Sequence, residues 1–324
     1  MDKILSVSIA SYNVEKTLRR TVNSIIEVQD CINDIEIIIV NDGSADETIK
    51  IAEEYRDKYP DTVKLINKSN GGYGSTINAS LAIAKGKYYK LLDGDDTFVT
   101  ENISEFVRYL KKCSADLVIA PYNEVHEQTG VNQLIDSHHI DMKKTLENVV
   151  MHEIAVRTDS LRTVGMNITE HCVYTDNEFV FYALLGTRKL KKFDKPIYNY
   201  NLGIEGQSVS VDGIRKHYKD TIIVSEKVCT MFCKYLLNNK FDILQKKLLE
   251  DKVRIVIRNV YGAFFIVDDK GNKKDELKEY DADLRIRFPQ AYKISAREKK
   301  INLLRKTGFL LFNYLSNREK NRFE

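Results

Sequence analysis

The sequence predicts an α/β fold: a mostly parallel sheet flanked by helices, with a helical region at the C-terminal end. Over the first 120 residues, short apolar runs alternate with helical stretches, the pattern of a parallel sheet covered on both faces. Ile35-Glu36-Ile37-Ile38-Ile39-Val40 is β-branched almost throughout, as a strand buried on both faces requires. Beyond about residue 214 no strand signal persists.

The elements follow in order. Leu5 to Ala10 is a short apolar strand ended by Ser11-Tyr12-Asn13, with Asn13 expected to cap a helix running to about Val28. After the Ile35–Val40 strand, Ser44 and Glu47 fit a capping box for a helix to about Lys58. Val63 to Asn67 is a third strand, and Asn70-Gly71-Gly72-Tyr73-Gly74 a glycine-rich loop before a helix from about Ser75 to Ala84. Strand Tyr88 to Leu92 runs into Asp93-Gly94-Asp95-Asp96, followed by a helix over about Glu101 to Lys112 and a strand over Asp116 to Ala120.

From about 121 to 215 the alternation loosens. His126 to His139 reads as an insertion or a strand pair. Tyr174-Thr175-Asp176-Asn177-Glu178 opens an apolar helix, Phe179 to Leu185; Pro196 to Tyr200 is a last strand, and Gly203 to Gly213 a flexible loop. Long helical stretches cover Tyr218 to Asn238 and Ile243 to Phe265. The boundaries expected are 1–213 for the α/β domain, divided at 120, and 214–324 for the helical region.

Composition narrows the function. The chain has 324 residues, 43% hydrophobic and 30% charged, enough for a sizeable core under an ordinary surface. A net charge of +3 gives no argument for nucleic acid. Five scattered cysteines without a CxxC pair read as reduced thiols. The chain enters its first strand at once and has no apolar run of the ~18 residues a membrane span needs, so a cytoplasmic location is expected. Lys293 to Glu324 carries nine Lys/Arg against three Glu, interleaved with apolar side chains. That tail either packs on the protein or lies peripherally on an anionic membrane face.

In parallel sheets, ligands bind beyond the C-terminal strand ends. Ser11–Asn13, Asn41–Ser44, Asn70–Gly74 and Asp93–Asp96 all fall there. Three carboxylates within the four residues Asp93–Asp96 suit a hard divalent cation, or else form a polar turn. Tyr12 is either a stacking platform for a base or a rim aromatic. Asp42 either contacts a ligand or shapes its turn. Thr175 and Glu178 have capping-box spacing, which competes with a general-base role for Asp176 or Glu178.

Together, Val7–Asn13, Ile39–Ser44, Asn70–Asn78, Gly86–Tyr88 and Leu92–Asp96 resemble the inverting family 2 glycosyltransferases of the GT-A fold. The resemblance is specific over residues 4 to about 100 and extends to about 212. It implies a nucleotide-sugar half over 1–120 and an acceptor side over 121–213. It implies donor contacts from Ser11, Tyr12, Asn13, Asp42, Gly72, Asn78, Asp93, Gly94 and Ser208, with Asp95 holding Mn²⁺ or Mg²⁺. Asp176 is implied as the base, with Glu178 its rival. The acceptor is then a hydroxyl of a glycan, lipid-linked or polysaccharide chain, and the donor most simply a UDP-sugar. Thr175 replaces the family's Glu before the base, and Thr76-Ile77 its Ala-Arg pair. With no Trp in the chain, the Gln-x-x-Arg-Trp motif of processive synthases is absent. Two other functions fit an acidic α/β site: nucleotidyl transfer, and nucleotide-sugar binding without catalysis.

Overall fold

The computed structural model describes residues 3–28, 30–126, 129–136, 148–203, 210–237, 242–268 and 273–321. Contacts divide the chain into two units, 1–204 and 205–324.

In the first unit the order is β1 (Leu5–Ser11), α1 (Leu18–Ile26), β2 (Ile35–Asp42), α2 (Thr48–Lys58), β3 (Val63–Lys68), α3 (Tyr73–Ile83) and β4 (Tyr88–Asp93). Then come β5 (Thr97–Phe98), α4 (Thr100–Lys112), β6 (Leu117–Ile119), β7 (Tyr122–His126), β8 (Val131–Ile135), β9 (Ile154–Arg157) and α5 (Thr158–Thr163). The unit closes with α6 (Asp176–Leu185), β10 (Leu190–Lys192) and β11 (Tyr198–Leu202).

Among the described residues a seven-stranded sheet runs β10-β6-β9-β4-β1-β2-β3. All its pairs are parallel except those of β9, which is antiparallel to β4 and β6. The mostly parallel sheet is therefore as expected, and β9 and β10 are its strands that the sequence pattern did not show. Every residue of β2 is buried, as its β-branched run predicted. A smaller sheet runs β5-β11-β7-β8. In it β7 and β8 form an antiparallel pair, so a strand pair is present but starts at Tyr122, with β8 and the last residue of β7 inside the His126–His139 stretch; residues 137–147 lie outside the described set.

Three capping expectations are corrected. Asn13 has a φ of 53° and its Oδ1 accepts from Ala45 N at 2.9 Å, so the first helix starts only at Leu18. Ser44 Oγ accepts from Asn13 N at 3.0 Å instead of capping α2, which begins at Thr48. Thr175 precedes α6 in a helical backbone conformation, φ −74° and ψ −7°, and makes no side-chain cap; a capping residue needs extended backbone. In the first two cases the loops after β1 and β2 bond to each other, and that long-range exchange outweighs the local cap.

The second unit consists, among the described residues, of helices α7 (Val211–Leu237), α8 (Ile243–Val267), α9 (Lys273–Arg287), α10 (Pro289–Ser295), α11 (Lys299–Lys306) and α12 (Phe312–Lys320). α8 is its centre: α7, α9, α10 and α12 all pack against it, and Val253, Ile257, Val260 and Phe264 are fully buried. No described helix is long and apolar enough to cross a membrane. All five cysteines are free thiols, as expected.

Candidate active site at the strand ends

Register brings the polar strand ends into one row. Ser11 on β1 pairs with Asn41 on β2, and Ala10 pairs with Asp93 on β4. The turn beyond β4 is tightly tied. A Cβ on Gly94 would lie 2.8 Å from the Ala10 carbonyl oxygen, so only glycine fits there. Thr17 and Thr21 donate to the Gly94 carbonyl at 2.7 and 3.0 Å, and Asn201 Nδ2 to the Asp95 carbonyl at 2.8 Å. α1 and β11 thus fix the backbone that presents the carboxylates.

The carboxylates crowd one another. Asp93 accepts from Tyr73 Oη at 2.7 Å; burial, then Asp95 and Asp176, push its carboxyl up to about 7. Asp96 accepts from Tyr198 Oη at 2.6 Å and from Asn201 N at 2.7 Å. Burial, then Asp93 and Asp95, push its carboxyl well above the ordinary range. Oxygens of Asp93 and Asp96 and one ring nitrogen of His152 lie within 4.8 Å of one another. A half-buried, mutually repelling oxygen-rich set of this kind fits a divalent cation, whose charge reverses the repulsion.

His152 lies just before β9. Its ring stacks on Tyr200 at 4.3 Å between centroids and meets Tyr198 at 4.8 Å. Burial and the Lys90 charge push the imidazole down to about 3, so it is neutral. Lys90 itself is fully buried in β4, and donates to the His152 carbonyl at 2.7 Å and the Ile154 carbonyl at 3.2 Å. Burial lowers its ammonium to about 7.

Asp176 opens α6 and belongs to the same electrostatic neighbourhood. It helps raise Asp93, and it adds to the effect of burial on the Tyr73 and Tyr200 phenols. The approach to α6 is strained: His171 and Tyr174 have φ of 52° and 65°, a region side chains other than Gly seldom adopt. Glu178 points elsewhere. It is fully buried, and its Oε2 accepts from Thr169 N at 2.9 Å and Thr169 Oγ1 at 3.1 Å. Thr175 Oγ1 is buried without a hydrogen-bond partner among the described residues.

On the other side of the row, Tyr12 is 54% exposed, and Ser11 Oγ is buried with no described partner. Asp42 is buried and clamps the glycine loop: Oδ1 accepts from Gly71 N at 2.9 Å and Lys68 Nζ at 2.8 Å, and Oδ2 from Gly72 N at 2.8 Å. Gly72 has φ 79°. Asn78 spends its amide elsewhere in the chain, bonding Ile168 N and O at 2.8 and 2.9 Å and Glu170 at 3.2 Å. Ser208 lies outside the described residues. The structure thus gathers Asp93, Asp95, Asp96 and Asp176, while Asn78 and Glu178 brace the 168–170 segment. Residue-by-residue reading missed His152, Lys90, Tyr73, Tyr198 and Asn201. Only Lys90 left a signal, a lysine inside an otherwise apolar strand.

A parallel sheet carrying an acidic turn at its central strand end defines the GT-A class of fold. The Glycosyl transferase family 2 sequence pattern matches residues 6–172, and the chain belongs to that family. Among its relatives, the minor teichoic acid biosynthesis protein GgaB of Bacillus subtilis is 27% identical over 76% of this chain and 29% of its own length. The poly(ribitol-phosphate) β-N-acetylglucosaminyltransferase TarS of Staphylococcus aureus is 23% identical over 63% of this chain and 36% of its own length. The matches thus span about a third of those proteins. In structure, TarS residues 1–349 in complex with UDP-GlcNAc superpose with a TM-score of 0.63 at 20% identity, covering 99% of this chain and 89% of that one. A mannosyltransferase from Pyrobaculum calidifontis, in complex with GDP-Man and Mn²⁺, gives 0.54 at 14% identity, covering 99% and 87%.

Proposed function

We propose that this chain is an inverting, metal-dependent, non-processive glycosyltransferase moving a sugar from a UDP-sugar to a hydroxyl of a glycan or wall-polymer acceptor. The observation that carries the reading is the meeting of Asp176 with the Asp93–Asp96 turn. One carboxylate stands ready for a proton beside a set suited to a cation and a diphosphate.

Asp93, Asp95 and Asp96 are the residues to hold Mn²⁺ or Mg²⁺. When bound, such an ion neutralises charge growing on the departing diphosphate. Tyr12 stacks on the base. Ser11, Asn13 and Asp42 line the nucleoside side, and Asp42 also shapes the Gly71–Gly72 backbone that approaches the donor. The Asp176 carboxylate accepts the acceptor hydroxyl's proton as that oxygen bonds to the anomeric carbon. The bond from that carbon to the β-phosphate oxygen breaks on the opposite face, which inverts the centre. Asn78 and Glu178 hold the segment leading to Asp176.

The names of GgaB and TarS support a teichoic-acid-type acceptor at a cytoplasmic site of polymer assembly. Exposed Leu303, Leu310 and Tyr314 beside Lys306 and Arg318 support peripheral contact of α11 and α12 with an anionic leaflet. The test is UDP release from UDP-sugars with Mn²⁺ and a polyol-phosphate acceptor. Transfer with inversion is expected. Pyrophosphate release from a nucleoside triphosphate, or tight donor binding without turnover on any acceptor, overturns the reading.

A further inference from the structure

The strand-end cluster contains one group that neither the motif nor the mechanism uses. His152 Nδ1 is buried with no hydrogen-bond partner among the described residues. Leaving such an atom unpaired is costly, yet the ring is firmly placed. Tyr200 stacks on it, Tyr198 flanks it, and Lys90 grips its own carbonyl. One of its nitrogens is within 4.8 Å of the Asp93 and Asp96 carboxylates. Two ligands each about 2.1 Å from a shared ion lie up to about 4.2 Å apart, so a slight inward turn of the side chains completes a coordination set. We propose that His152 gives the divalent cation at the end of β4 a nitrogen ligand, beside Asp93 and Asp96, and thereby selects Mn²⁺ over Mg²⁺. Imidazole favours transition ions, whereas an all-oxygen set suits Mg²⁺. The inference rests on the reading that this acidic turn holds a cation.

The test is pulsed electron paramagnetic resonance of Mn²⁺ bound to the protein with UDP. Nitrogen modulation from a coordinated imidazole is expected in the wild type, with its pattern changed when the protein carries ¹⁵N-histidine. In His152→Gln the modulation should vanish. Titration should show Mn²⁺ binding weakened by about tenfold or more and Mg²⁺ binding much less altered, with an unchanged circular dichroism spectrum. Bound Mn²⁺ without nitrogen modulation in the wild type overturns the role of His152 and leaves the cation reading standing. No Mn²⁺ binding with or without UDP overturns both. If His152→Gln does not fold, the ¹⁵N comparison on the wild type decides alone.

Discussion

At the residue scale, the two acidic groups nearest the proposed chemistry differ in surroundings. Glu178 is buried and bonded to Thr169, whereas Asp176 shares its field with Asp93. Asp176→Asn is therefore expected to lower transfer by at least about 100-fold while keeping donor affinity. Glu178→Gln should act chiefly on stability. Initial rates and isothermal titration of both variants check this, and near-normal turnover in Asp176→Asn would sink the assignment. Lys90 yields a pH prediction. Burial lowers it from 10.5 to about 7, so between those values the unfolded chain binds more protons than the native one. Its contribution is full above the unfolded value and is lost as pH falls towards 7. In chelator, urea stability should rise between pH 7 and 9 by up to about 1.4 kcal/mol per pH unit. Lys90→Met should flatten that rise; parallel profiles would refute it.

At the scale of elements, the glycine loop and the base-bearing segment are built as one piece. A Cβ on Gly74 would come within 2.1 Å of the Thr169 carbonyl oxygen, and His171 N donates to the Gly71 carbonyl at 2.6 Å. α3 can therefore lie against 168–171 only with glycine at 74. Backbone cannot yield as a flexible side chain does, so Gly74→Ala should destabilise by about 1–3 kcal/mol, read as a lowered urea midpoint. Asn78→Ala leaves the Ile168 backbone groups unpaired and should cost about 1–3 kcal/mol. Its kcat should fall more than its donor affinity, because it loosens the approach to Asp176 without touching the nucleoside side. A pure loss of donor affinity would argue for direct contact instead.

At the scale of the whole molecule, each unit has its own core and its own buried polar centre. In the second, Arg305 pairs with Asp281 at 2.7 Å and lies over the Tyr292 ring at 3.7 Å. It also donates to the Tyr292 carbonyl and to Ser295, and Asp281 accepts from Tyr261. Arg305→Met strands the Asp281 charge and should cost about 3–5 kcal/mol; Asp281→Asn on that background should recover part of it. Calorimetry reads both. A thermal-shift series of nucleotide-sugars with and without Mn²⁺ tests the first unit, since ligand bound only to the native state raises its stability. A shift needing both sugar nucleotide and ion is expected.

What the sequence by itself determined is what short-range pattern encodes. The β-branched Ile35–Val40 run announces a strand buried on both faces, and its alternation with helices announces the parallel sheet. The polar residues closing β1, β2 and β4 announce a site at the strand ends. Helix starts are misplaced at Asn13 and Ser44, and the helix that does start after Thr175 lacks the expected cap, because local capping chemistry competes with partners that only the fold supplies. Asn13 meets Ala45, Ser44 meets Asn13, and Glu178 turns to Thr169. The tertiary structure alone decided that Asp176, 80 or more residues downstream, enters the field of Asp93–Asp96. It alone decided that His152 joins them and that Lys90 lies buried beneath. No periodicity marks His152 or Asp176, because β9 brings His152 to the site through pairing with β4 and β6, distant in sequence, and Asp176 arrives at the start of α6.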